Sequence, residues 1–265
     1  MAAVQLLLAY KAFAVAGWWA LLFAGERLAP ADRREAALRP GRARLARNLG
    51  LWLVTVAGSA LVVLPLTAWA AGHALWVRPA WWQGGFGLGL DLLLLDFLIY
   101  WWHRANHRFT PLWRFHEVHH LDGFLDSTSA LRFHFGEVLI SAGARAVVVV
   151  ALAFPLASVL VFETVVLVAT LFHHSNLRLP PGLEAALSRL VITPSIHWVH
   201  HHARKADTNS NYGTVLSLWD RLFASRNRRP RTPGMAIGVE GGRELAFGAL
   251  LLRPFAARER APSGP

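Results

Sequence analysis

The stretch Asp96-Phe97-Leu98-Ile99-Tyr100-Trp101-Trp102-His103-Arg104-Ala105-Asn106-His107 runs out of an apolar segment into two histidines four residues apart. Residues three and four apart on an α-helix share a face, so the end of this helix aims both imidazoles one way. Two further clusters repeat the pattern, His116-Glu117-Val118-His119-His120 and His197-Trp198-Val199-His200-His201. Of the 13 histidines, 12 lie between His103 and His202, and eight of them form these three clusters. Buried imidazoles without partners are costly to hold, so such a convergence implies metal. Imidazole suits iron, zinc, copper and nickel alike. Eight donors overfill one zinc site, which takes four ligands, or three and a water, so two metal ions are the simpler reading. Glu117 follows His116 by one residue and turns away from its face. The centre therefore reads as almost all histidine, unlike the Glu-x-x-His sites of soluble helical bundles.

The chain around the clusters is that of a membrane protein. Of 265 residues, 54% are hydrophobic and 12 are Trp, in runs too long for a soluble core. A span needs about 20 mostly apolar residues. Stretches 4–24, with Lys11 inside it, 49–71 and 86–102 qualify. The first run is long and lacks both a basic leader and a small-residue cleavage pattern, so it is expected to be retained. Stretch 138–172 is broken by Pro155 and reads as a helical hairpin. It carries Arg145 and Glu163, which are expected to pair or to face a polar interior, because charges at membrane depth rarely face lipid. The fold class is all-α: an integral membrane bundle of about three spans plus a hairpin, with a cytoplasmic His-rich cap. Residues 1–85 hold the N-terminal spans and an Arg-rich loop, 86–225 the His-bearing domain, and 226–265 a basic tail expected to fray after Arg253.

The net charge of +11 invites a nucleic-acid partner, but its distribution argues against a specific one. Arg33, Arg34, Arg39, Arg42, Arg44 and Arg47 fill the loop between the first two spans, and Arg226, Arg228, Arg229 and Arg231 cluster in the tail. Both patches suit a cytoplasmic face lying on anionic lipid. With that loop inside, the second span exits, the third returns His103 to the cytoplasm, and the hairpin brings His173 and all that follows to the same side. All three clusters then meet on one face of the membrane. The chain has no cysteine, which excludes disulfides, thiolate metal sites and Cys nucleophiles. No Gly-x-Gly-x-x-Gly nucleotide fingerprint occurs.

From Asp96 to about Phe223 the ordered motifs resemble the fatty acid hydroxylase and sterol desaturase superfamily, membrane enzymes with a His-rich di-iron centre. Besides the clusters, the resemblance rests on Arg132-Phe133-His134-Phe135-Gly136-Glu137, His174-Ser175-Asn176, Asn211-Tyr212-Gly213 and Trp219-Asp220-Arg221-Leu222-Phe223. It implies hydroxylation or desaturation of a lipid with dioxygen as co-substrate. It also implies two iron ions held by His103, His107, His116, His119, His120, His197, His200 and His201, with His174 as a ninth ligand. His173 is the lesser candidate of its pair. His134 and Asn176 stand behind the ligands, with Phe135 in place of the proline usual after such a histidine. A sterol or hopanoid, a fatty acyl chain, a carotenoid and an ether lipid all remain eligible substrates. Electrons are expected from a separate reductase, ferredoxin or cytochrome, since this sequence carries no nucleotide-binding reductase fingerprint. The localisation implied is a bacterial inner membrane.

Helical spacing adds Asp96 and Tyr100, on one stripe with His103 and His107. A metal-bound His usually donates its other ring N–H to a carboxylate or carbonyl, and an Asp in an apolar helix needs a partner, so Asp96 is expected behind the ligands. The bland alternative, that Asp96 holds a neighbouring helix, stays open. Asp207, Asn209 and Asn211 read as turn formers, Trp219-Asp220-Arg221 as a dock for the tail, and Asp91, His73 and His202 carry no role. Three rivals remain: a His-lined metal transporter, which would spread ligands along the spans, a haem-binding electron carrier, which needs only pairs of histidines, and, as a minor third, a structural zinc protein.

Overall fold

The computed structural model describes residues 2–33 and 41–256, with side chains from Ala9 onward. Among them the regular structure is helical: α1 (Ala2–Leu28), α2 (Arg42–Gly72), α3 (Gly84–Arg108), α4 (Thr110–His120), α5 (Phe135–Leu152), α6 (Leu156–His174), α7 (Pro181–Leu187), α8 (Pro194–His200), α9 (Lys205–Thr208), α10 (Leu218–Leu222) and α11 (Phe247–Leu252). Helices α2, α3, α5 and α6, of 31, 25, 18 and 19 residues, are long and apolar enough to cross a membrane. At 1.5 Å per residue even the two shorter ones reach roughly 27 Å, close to the ~30 Å hydrocarbon thickness. The chain is thus an integral membrane helical bundle carrying a cap.

Local chemistry sets the ends of these helices. The hairpin turns where expected: Ala153 closes α5 in the left-handed conformation at φ 54°, and Pro155 precedes α6. Both are ordinary punctuation, since a left-handed residue ends a helix and proline cannot continue one. Inside α2, Ser59–Val63 forms a π-helical turn. Pro65 lies just beyond it, and its ring, which would collide with the carbonyl four residues back, accounts for the local widening.

The bundle packs around Leu95, Ala146, Val149, Phe154, Val159 and Phe162. The pairing expected across the hairpin is present, with Arg145 Nη2 2.8 Å from Glu163. Asp91, given no role by sequence, pairs with Arg78 at 2.8 Å and accepts from Trp82 and Ser158, so it anchors the α2–α3 loop.

The Arg-rich loop departs from expectation. Arg34 and Arg39 lie outside the described residues. Arg44 is buried rather than lying on lipid, with its guanidinium on both carboxylate oxygens of Asp122 at 2.6 and 2.7 Å and on Asp126 at 2.7 Å. A planar guanidinium fork matches a carboxylate in this way, and the pair tolerates burial because each charge is satisfied. Arg231 in the tail is half-buried, with its Nε enclosed. It lies 3.7 Å over the Trp198 ring and donates to the Leu177 carbonyl and Asn176 Oδ1. Residues 226–256 fold back over the cap, where Arg253 pairs with Glu117 at 2.9 Å. That pair also shows Glu117 turned away from the histidines.

Candidate metal centre

Four helix ends converge on one volume. The last turn of α3 supplies His103 and His107, α4 supplies His116, His119 and His120, the end of α6 supplies His174, and α8 with the residue after it supplies His197, His200 and His201. The ring nitrogens of these nine fall into two groups, each with its candidate donor atoms within 4.8 Å of one another. One comprises His103, His107, His116, His120 and His200, and the other His119, His174, His197 and His201. The groups abut, with the His120 and His201 rings stacked at 4.2 Å. All nine sequence-derived candidates are brought together.

Each His-x-x-His-His motif is split between the groups rather than aimed as a unit. His116 and His120 join the first while His119 joins the second, and His197 and His201 join the second while His200 joins the first. A helix advances 100° per residue, so relative to residue i the i+4 side chain lies about 40° to one side and the i+3 side chain about 60° to the other. One helical turn therefore faces both groups.

The ring nitrogens test whether metal fits. Nε2 atoms face each other at 3.0 Å for His119 and His174, 3.1 Å for His174 and His197, 3.1 Å for His197 and His201, and 3.2 Å for His116 and His120. Donors sharing an ion at ~2.1 Å stand ~3.0–3.4 Å apart, so the spacing suits shared ions. Both nitrogens of His107 and Nε2 of His200 are buried with no hydrogen-bond partner. Burial, followed by the neighbouring imidazoles, holds His119, His120, His197 and His201 well below the usual imidazole value, and His200 behaves in the same way. Neutral imidazoles with converging lone pairs are what a metal requires.

For five of the nine the outer ring nitrogen is aimed by an acceptor, while Nδ1 of His107, His120, His197 and His201 is buried with no hydrogen-bond partner. Nδ1 of His103 lies 2.8 Å from the Tyr212 carbonyl, that of His119 3.1 Å from the Arg132 carbonyl, that of His174 2.8 Å from the Thr170 carbonyl and that of His200 2.6 Å from the Ser210 carbonyl. His116 is the exception, with Nδ1 2.7 Å from Oε1 of Glu137. Donation outward fixes the tautomer and leaves Nε2 free to bind. Sequence reasoning quoted Glu137 within a motif but gave it no task; a carboxylate opening an apolar helix was the available signal. The carbonyls of Tyr212, Arg132, Ser210 and Thr170 carry no sequence signal.

The four residues expected behind the ligands are engaged elsewhere. Asp96 accepts from the Val215 and Leu216 amides and from Trp219 Nε1 at 2.8 Å, so it holds the 212–219 loop and reaches His103 only through that loop. Tyr100 meets Ser225 Oγ at 2.8 Å and accepts from Arg104. His134 caps α5 by accepting from the Gly136 amide and donates Nε2–H to the Leu251 carbonyl. Asn176 bonds both the amide and the carbonyl of Asp32. In each case a neighbouring backbone or side-chain group offered a nearer partner than the imidazoles did.

His202 bonds Asp207 outside both groups. His173 is buried beside His197 at 4.0 Å between ring centroids and belongs to neither group. In the 207–211 loop Asn211 takes the left-handed conformation at φ 52°, as a turn former would, whereas Asp207 lies in α9 and bonds the side chains of His202 and Asn227. Asp220 accepts from the amides of Tyr212 and Gly213. Gly213 is required there, since a Cβ would sit 2.6 Å from Ile192 and 2.9 Å from Asp220.

A cavity of about 380 Å³ leads from His103, His116, His119, His174 and His197 down between α2, α3, α5 and α6, past Trp52, Trp102, Phe133 and Phe162. Its size and mostly apolar walls are those of a small-molecule site.

Residues 88–225 match the family model described as fatty acid hydroxylase. The chain is 32% identical over 182 residues to ornithine lipid hydroxylase OlsE of Rhizobium tropici, covering 69% of this chain and 54% of that protein. It is 28% identical over 150 residues to alkylglycerol monooxygenase of Homo sapiens, covering 57% and 31%. With very-long-chain aldehyde decarbonylase GL1-5 of Oryza sativa subsp. indica it shares 26% over 158 residues, covering 55% and 25%. The chain thus spans about half the length, or less, of these curated relatives. No solved structure matches. With the family model covering residues 88–225, the stretch that contains all nine convergent histidines, the chain belongs to the fatty acid hydroxylase family.

Proposed function

We propose that this protein is a membrane-bound non-haem di-iron oxygenase that uses dioxygen and external electrons to hydroxylate a lipid. The observation that carries the reading is the pair of histidine groups opening onto an apolar cavity between membrane-spanning helices. No protein side chain removes hydrogen from an unactivated carbon; two iron ions, when bound, supply that redox chemistry. His103, His107, His116, His120 and His200 would hold one ion and His119, His174, His197 and His201 the other. Glu137 orients His116, the Phe133 ring lies flat on His119 at 4.3 Å, and the apolar walls keep water from the reacting carbon. The names of the relatives, a lipid hydroxylase and an alkylglycerol monooxygenase, favour hydroxylation over desaturation and a polar lipid as substrate. The arginines left exposed, Arg33, Arg42, Arg228 and Arg229, suit a cap in the cytoplasm, where a separate reductase, ferredoxin or cytochrome delivers electrons, and the Rhizobium relative suits a bacterial inner membrane. The convergence of ligands at one end of the bundle disfavours a transport path, and nine of them exceed the needs of a haem.

The test is expression in a lipid-rich host with an added reductase, followed by lipid mass spectrometry and iron analysis. A gain of one oxygen in a lipid, with about two irons per chain, is expected. A loss of two hydrogens would assign desaturation instead. The proposal fails if His200→Ala leaves both product and bound iron unchanged.

A further inference from the structure

One charged pair in the cavity is not used by the chemistry above. Arg145 on α5 and Glu163 on α6 pair at 2.8 Å, and both line the cavity that reaches the histidines. Arg145 also lines a second cavity of about 290 Å³ between α3 and α5, so it stands in the wall where the two meet, with Ile99, Trp102, Ser141 and Phe162. Charges at membrane depth are expensive and mark function more often than packing. A guanidinium carries five N–H donors. Among the described residues Glu163 is its one charged partner, and Arg145 Nε is buried with no hydrogen-bond partner at all. An unmade buried donor costs free energy, so the site is built for an acceptor that arrives with the ligand.

Charge balance narrows the acceptor. Arg145 and Glu163 already sum to zero, and a carboxylate or phosphate placed beside them in an apolar cavity would leave an uncompensated negative charge. A neutral oxygen, such as an ester or amide carbonyl, a hydroxyl or an ether, would not. Helix rise gives the scale. Arg145 lies eight residues beyond Glu137 on α5 and Glu163 eleven before His174 on α6, roughly 12 and 16 Å along the helices. At ~1.5 Å per carbon–carbon bond this spans on the order of ten bonds.

Resting on the oxygenase reading for the identity of the cavity, we propose that Arg145, steered by Glu163, binds a neutral oxygen of the lipid substrate and so fixes its distance from the carbon that is oxidised. The full chain in nanodiscs is equilibrated with hexadecane, methyl hexadecanoate, hexadecanol or hexadecanoate, and bound probe is measured by mass spectrometry. The ester and the alcohol are expected to bind about tenfold tighter than the alkane, the worth of one charge-assisted hydrogen bond, and the carboxylate no tighter than the ester. In the charge-neutral double variant Arg145→Met with Glu163→Leu, the preference for ester over alkane should fall to about twofold or less, with alkane binding retained. Equal binding of ester and alkane to the unaltered protein overturns the proposal without any variant. Tightest binding of the carboxylate, or an ester preference that survives in the double variant, overturns it as well. Binding needs neither electrons nor turnover. An ester preference without any oxidised lipid would therefore sink the oxygenase reading alone, and an oxidised lipid without the preference would sink this one alone.

Discussion

The two histidine groups share a helical scaffold but differ in what stands behind them. In the first, His116 leans on the Glu137 carboxylate, while His103 and His200 lean on backbone carbonyls. In the second, the outer nitrogens of His119 and His174 meet only the carbonyls of Arg132 and Thr170. A carboxylate strengthens its imidazole as a ligand and offsets the charge of an ion, whereas a carbonyl chiefly orients. Substituting a side-chain acceptor can therefore reach the first group, whereas the acceptors behind His119 and His174 are backbone and survive any substitution.

The largest effect that would break this comparison is removal of a ligand from the smaller group. His119→Ala should lower turnover on the order of a hundredfold or more, beyond the effect of losing an outer partner. About one iron per chain should remain; finding two would show that the groups are not separate sites. Glu137→Gln should weaken one ion by roughly 10–100-fold and spare the other, visible as two phases in a chelator titration. A single unshifted phase would remove the asymmetry.

Acid tests what the groups share. His119, His120, His197, His200 and His201 are held neutral when folded, far below the usual value of about 6.5. The unfolded chain therefore takes up protons first as pH falls. Their contribution to the stability of the metal-free protein is complete above about 6.5 and is lost progressively below it. The melting temperature of metal-free protein should drop between pH 7.5 and 5.5, and a flat profile would contradict the burial. The smallest effect is His134→Ala, which should cost about 1 kcal/mol through the lost helix cap and leave iron content alone. Loss of iron would return His134 to the centre.

Eight of the nine ligand candidates and the hairpin were legible because each follows from a local rule, helical spacing, apolar length or a proline break, whereas His174 entered only through the family resemblance. What stood behind the ligands was not. Asp96 shares a stripe with His103, yet sequence separation of seven says nothing about the Val215 and Leu216 amides, which the fold brings closer. The partners of His103, His119, His174 and His200 are carbonyl oxygens, which every residue has, so no letter of the sequence singles them out. Arg44 failed for the reverse reason. Its loop looked like a solvated basic patch, and only the tertiary approach of Asp122 and Asp126 made burial tolerable.

The division of each His-x-x-His-His turn between both groups gives the cap a mechanical property. Swinging one side chain cannot widen the gap between the two sites, because the α4 and α8 backbones set it. Any tilt of either helix disturbs both sites at once. Strain on the cap should therefore loosen both sites in step, whereas removing one side chain should empty only the site that it serves.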